Sequence, residues 1–195
     1  MAVARGCGKK ATVRRFVFIL LYLLIAASEL AAKAPQAEIQ NLSAVASAQK
    51  VTVRFTLDGA FRDGEMVESL QSGLPTSFTY VVEIFHDRPW FDDDIAQARL
   101  DVICTFNSVT REYLLNYRRD RKLVRSETFT DLASLERGMT RIEEVDLFDI
   151  GKRKPYKLKV RVKADLMRGY LLYVIPWEVS TRWRETRVRQ GEAAP

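Results

Sequence analysis

The chain has 195 residues, with 31 Lys and Arg against 25 Asp and Glu and a formal net charge of +6. Five of those cations fall within residues 1–28, which hold no acid, so the rest of the chain carries 26 cations against 25 acids. A nucleic-acid binder would keep its basic excess outside that leader; this chain does not, which excludes nucleic acid as a partner.

Arg5, Lys9, Lys10, Arg14 and Arg15 lead into Phe16–Ala27, twelve uncharged residues, and then into small residues. Basic, apolar, small is the order of a secretory signal. As a helix the run spans about 18 Å, short of the ~30 Å hydrocarbon core, and extending it to Ala32 brings in Glu29. Residues 1–28 therefore read as a signal peptide, with Ala26 and Ser28 at the recognition positions. An uncleaved inner-membrane anchor over residues 16–32 is the alternative, and a buried core helix the third reading. With a signal or an anchor the positive flank stays in the cytoplasm and the remainder is translocated, which predicts a periplasmic domain. Arg14-Arg15 fits a twin-arginine signal only as an adjacent pair. Cys7 precedes the apolar run, so no lipoprotein acylation site is visible. Cys104 is then alone in the mature chain and no internal disulfide can form.

Residues 29–35 read as a linker. Glu38–Ser47 and Lys50–Asp58 form a predicted hairpin, the second arm placing Val51, Val53, Phe55 and Leu57 on one face. Asp63 is the expected cap of a short helix with Met66, Val67 and Leu70 on one side, closed by Gly73. A strand over Ser77–His86 puts Phe78, Tyr80, Val82 and Ile84 together. A turn-rich connection from His86 to Asp94 leads to a strand over Ala98–Phe106, with Leu100, Val102, Cys104 and Phe106 on one face. Glu112–Tyr117, a charged turn over Arg118–Lys122, and Leu123–Thr128 complete a meander. A second helix is predicted over Asp131–Thr140, capped by Thr130, with Leu132, Leu135, Met139 and Ile142 as its stripe. After Val145–Ile150 and the turn Gly151–Lys154, a strand alternates Tyr156, Leu158, Val160, Val162 and Ala164 against Lys157, Lys159, Arg161 and Lys163. A last strand over Trp177–Val188 places Trp177, Val179, Thr181 and Trp183 on one face, and residues 189–195 read as a disordered tail. The sum is a mainly β fold over residues 36–188, an antiparallel sandwich or open barrel with two short helices.

No residue pattern here points to catalysis. His86 is the single histidine, and beside Asp92, Asp93 and Asp94 it suggests a metal site; but no alternating-acid calcium loop with its central glycine is present. No serine sits in a nucleophile elbow, and Cys104 shares its face with apolar residues, as a core thiol does. No glycine-rich phosphate loop follows a strand. No catalytic, cofactor-binding or metal-ligating residue is therefore assigned. Two surfaces remain. The row Lys157, Lys159, Arg161 and Lys163 could protect the sheet from aggregation, or contact anionic headgroups or an acidic partner. A groove could be lined by His86, Arg88, Trp90, Asp92, Trp177 and Trp183, although tryptophans in a β domain commonly fill the core.

The order of Val51-Thr-Val-Arg-Phe55, Gly73-Leu-Pro75, Arg88-Pro-Trp-Phe-Asp92, Thr110-Arg-Glu-Tyr113, Phe129-Thr-Asp-Leu132, Ala164-Asp-Leu166 and Trp177-Glu-Val-Ser180 with Trp183 resembles a known family. These features are similar to bacterial domain-of-unknown-function family 4390 over residues 36–188. The proline-bearing segment expected after Ala164 arrives only at Ile175-Pro176, a departure that bears on the last connection. The resemblance implies export, a bacterial source and a link to membrane sensor kinases; it implies no activity and no catalytic residue. The expectation is a non-enzymatic interaction module of the cell envelope, with an envelope or inner-membrane protein as partner, no cofactor, and no small-molecule ligand identified. A periplasmic hydrolase using acids near Arg88–Asp94 is the first alternative, and a structural protein on anionic headgroups the second.

Overall fold

The computed structural model describes residues 37–62, 64–88, 93–171 and 175–191. The described residues belong to a single compact unit. The predicted leader and linker, the Asp63 cap, Trp90 and Asp92 lie outside the described residues.

Period-two alternation dominates, and among the described residues the structure answers with ten strands in a single sheet. They are β1 (Glu38–Ser47), β2 (Lys50–Asp58), β3 (Thr76–His86), β4 (Asp93–Asn107), β5 (Glu112–Arg119), β6 (Lys122–Phe129), β7 (Arg141–Asp149), β8 (Leu158–Leu171), β9 (Ile175–Ser180) and β10 (Arg184–Gln190). Two helices interrupt them, α1 (Glu65–Gln71) and α2 (Leu132–Thr140). The strand order is β6-β5-β4-β3-β8-β10-β1-β2-β7, with β9 paired to β8 beyond the β10 contact. Every pairing is antiparallel except β1 with β10. The sheet curls into an open half-barrel, which realises the open-barrel form of the expected fold rather than two facing sheets.

The concave face holds the core. Val51, Val53, Phe55 and Leu57 meet Phe78, Tyr80, Val82 and Ile84, with Leu100, Val102, Cys104, Leu115, Val160, Val162 and Leu166 around them, all buried. Each fully buried aliphatic side chain contributes roughly 1.5–3 kcal/mol. α2 lies across the opening between the sheet's two ends and packs on β2, β5, β6 and β7. Its Leu135 and Met139 are buried. Two hydroxyls fasten its last turn: Tyr80 Oη donates to the Met139 carbonyl at 2.7 Å and Tyr117 Oη to the Gly138 carbonyl at 3.0 Å. Such terminal carbonyls have no intrahelical donor and need one from elsewhere. Arg119 on β5 pairs with Glu144 on β7, an ion pair between the two arms of the curl.

Several sequence expectations shift. The cap of α2 is Asp131, not Thr130: its Oδ1 accepts from the Ser134 amide at 2.8 Å, and that amide holds the carboxyl below its usual range. α1 starts at Gly64 with no side-chain cap. β4 begins at Asp93, earlier than Ala98, because β3 is long enough to pair with it as far as His86. The charged turn shrinks to Asp120-Arg121, both at positive φ (49° and 70°), the two-residue hairpin geometry normally given to Asn-Gly. Arg118 and Arg119 stay in β5, and Asp120 is tied to the Arg99 backbone of β4. β7 begins at Arg141, directly after α2, not at Val145.

The largest correction concerns Tyr156. Pro155 opens a 3-10 turn over Pro155–Lys157, so β8 starts at Leu158 and Tyr156 is 64% exposed, not inward-facing. The expected last strand is also two. Thr181 bulges between β9 and β10, its amide donating to the Ala164 carbonyl while its Oγ1 accepts from the Ala164 amide. Thr181 is buried and Trp183 is 40% exposed, so they do not share a face.

Candidate functional site

On the convex side, β3 presents Thr79, Val81, Glu83 and Phe85, whose directly paired partners on β8 are Asp165, Lys163, Arg161 and Lys159. This is where three of the four residues of the cationic row lie, and each faces an acid. Lys159 Nζ is 2.9 Å from Asp87, which Arg187 also reaches at 3.4 Å. Arg161 Nε donates to Glu83 at 2.5 Å and a second nitrogen lies 3.8 Å from Asp94. Lys163 is 3.3 Å from Asp165. Hydrogen bonding from Lys159, with Arg187 adding to it, lowers the Asp87 carboxyl. Lys157 falls in the 3-10 turn instead, exposed and apart from this ladder.

The second set of predicted residues converges on the same surface in part. Trp183, carried between β9 and β10, lies against Arg161 (5.0 Å to the ring centroid) and Lys163 (5.6 Å). Phe85 is buried beneath Arg161, whose guanidinium is 5.2 Å from its ring. Arg88 is 3.4 Å from Asp93. His86 ends β3, half-buried, paired across to Asp93 and Leu158. Trp177 lies on β9, its side chain outside the described residues.

Chemically this is a mutually neutralised lattice, with cations and aromatics stacked in alternation. Partly exposed pairs of this kind contribute only about 0–1 kcal/mol each. Asp93 and Asp94, at the start of β4, are counterions to Arg88 and Arg161. Cys104 is buried, and burial pushes its thiol up to about 12. Among the described residues no group of three or more His, Cys, Asp or Glu could hold a metal ion, and no helix is long and apolar enough to cross a membrane.

A family model described as "Domain of unknown function (DUF4390)" matches residues 34–186. The chain belongs to the DUF4390 family. No curated protein and no solved structure matches it.

The feature of this DUF4390 domain that the sequence did not single out is the end of its sheet. β6 is the terminal strand, and Lys122–Ser126 are all exposed. Leu123 is 61% exposed and Val124 56%, and Leu114 of β5, opposite Thr128 farther along the pair, is exposed too. A shallow depression of about 500 Å³, lined by residues that include Thr105, Asn107, Glu112, Leu114 and Thr128, lies toward the far end of the β5–β6 pair, at the β4–β5 turn. At the opposite end β7 is interrupted: Val51 pairs with Phe148 but Val53 with Glu144, and Asp146 adopts φ 53°. Such a bulge, with the acids Glu143, Glu144 and Asp149, discourages pairing. The visible sequence signal for β6 was adjacent Leu123-Val124, which breaks the alternation.

Proposed function

We propose that this DUF4390 protein is a non-enzymatic interaction module of the cell envelope that accepts a strand of a protein partner along β6. The observation that carries this reading is the contrast between the two sheet ends. β7 is acidic and slips by two residues against β2, while β6, with a single-residue bulge at Val124, carries exposed Leu123 and Val124 on its edge. Unpaired edge amides and carbonyls template strand addition, and neighbouring apolar side chains give it specificity. Arg118, Arg121 and Lys122 at the adjacent hairpin tip have no ion pair among the described residues, so the fitting strand is apolar with acidic flanks. The apolar leader at Phe16–Ala27 supports periplasmic placement, cleaved after Ser28 or retained as an anchor. A membrane sensor kinase is the partner class this reading favours.

The test is the size of the native complex from gently solubilised envelopes. Leu123→Lys with Val124→Lys should return the protein to its monomer mass with an unchanged circular dichroism spectrum. His86→Ala with Asp94→Ala should leave the complex intact. A complex indifferent to the β6 substitutions, or lost on the second pair, would overturn the proposal.

A further inference from the structure

The cationic row divides at Leu158. Lys159, Arg161 and Lys163, on the strand, are matched by acids. Before the strand, Lys152, Arg153, Lys154 and Lys157 occupy six consecutive positions with Pro155 and Tyr156, and none has an acidic partner among the described residues. All four cations are exposed. The nearby Asp149 carboxylate is turned to the Gly151 amide at 2.8 Å. Tyr156 stands 64% exposed among them, with Lys154 Nζ 5.9 Å from its ring.

The turn is built rather than loose. Ile150 donates its amide to the Gln49 carbonyl of the β1–β2 turn, Arg153 to the Ile150 carbonyl and Lys157 to the Lys154 carbonyl. The 3-10 turn packs beside β10. Exposed Lys50 at the start of β2 and exposed Arg189 of β10 border it, and neither has an ion pair among the described residues. One rim of the half-barrel is thus a protruding cationic turn with an amphipathic aromatic at its crest.

We infer that this rim, Lys152–Lys157 with Lys50 and Arg189, docks on the phosphate headgroups of an anionic lipid bilayer. Multiple unpaired cations at one rim are attracted collectively to a surface of negative charge within a Debye length, about 10 Å at 0.1 M salt. An exposed tyrosine suits the polar–apolar boundary of a bilayer, where its ring is shielded and its hydroxyl stays wet. The strand face cannot serve in the same way, because its cations already face Glu83, Asp87 and Asp165.

The experiment uses the full chain in lipid nanodiscs, reading amide hydrogen exchange over residues 150–158. Discs of phosphatidylcholine alone are compared with discs containing phosphatidylglycerol. Each cation near an anionic surface strengthens association about fivefold, so exchange should slow at least fivefold in the anionic discs. That protection should vanish near 1 M salt, where the Debye length falls to about 3 Å. Lys152→Glu, Arg153→Glu, Lys154→Glu and Lys157→Glu together should abolish it, with the urea midpoint unchanged. Lys159→Gln with Lys163→Gln should leave it in place. Equal exchange in the two discs, or protection that persists in high salt, would overturn the inference. Protection in phosphatidylcholine discs on adding inorganic phosphate alone would reassign the rim to free phosphate and overturn the bilayer as its partner.

Discussion

Replacing Tyr80 by Phe removes one oxygen and little else, since the ring would keep its edge contact with Phe55 (centroids 5.1 Å apart). What is lost is the donor to the Met139 carbonyl in the last turn of α2. The side chain is fully buried, so no water replaces the hydroxyl without rearrangement. Leaving a buried acceptor unsatisfied costs about 1–3 kcal/mol. Tyr117→Phe should cost less, about 0.5–1.5 kcal/mol, because that bond is longer and its surroundings wetter. Together the two should remove about 1.5–4.5 kcal/mol from a total on the order of 5–15 kcal/mol. At roughly 2–4 °C per kcal/mol for a domain of this size, the melting temperature of the double variant should fall by about 3–18 °C. Urea titration followed by circular dichroism is the assay, with the denaturant slope expected to hold. If Tyr80→Phe unfolds within about 0.5 kcal/mol of wild type, the scatter of ordinary surface changes, α2 is not fastened across the opening as described.

Other outcomes follow from the same core. Cys104 should resist alkylation in the folded protein at neutral pH and react on urea unfolding, because burial pushes its thiol to about 12; labelling at the native rate of a free thiol would place β4 wrongly. Burial, with Tyr117 adding to it, also raises the Tyr80 hydroxyl well above 10. The neutral form is thus favoured by folding, and above about pH 10 the unfolded chain ionises first. The contribution is complete below pH 10 and is lost as pH climbs from there through the folded value. Urea midpoints should therefore hold from neutrality to about pH 8.5, fall first as the Cys104 thiol ionises in the unfolded chain, and fall further above about pH 10; in Tyr80→Phe the part of the fall above about pH 10 should shrink. Arg121→Gly should raise stability by about 0.5–1 kcal/mol, since φ 70° is strained for a side chain and free for glycine; a loss in urea titration would mean that the hairpin tip has another geometry.

Much of this fold was legible because alternation is a local property. The bounds of β1 and β2 and the inward faces of β3, β4 and β8 needed only the period of apolar residues. Boundaries failed where a neighbour decides them. β4 extends to Asp93 because β3 offers partners there, and β7 starts at once after α2 because β2 holds Arg141 opposite Thr56. Tyr156 fitted the alternation but not Pro155, whose ring starts a different turn. Phe85 lies on the outward parity of β3 yet is buried, since Arg161, remote in sequence, covers it. The same distance hid the neutralisation of the cationic row: Glu83 and Arg161 are 78 positions apart. Two of the groove residues, Arg88 and His86, were placed by sequence near acids that turn out to be counterions or strand partners. Which strand ends the sheet is a topological fact, so β6 could not be recognised as an edge from its own residues.

The proposed interaction stands or falls on β6 being the surface that another protein joins. A photo-activated crosslinking residue placed singly at Leu123, Val124, Ser126, Glu143 and Lys163 in the native host tests this position by position. Adducts to one protein partner from positions 123, 124 and 126, and none from 143 or 163, are the predicted result. Adducts centred on Lys163 or Glu143, with β6 silent, would contradict it.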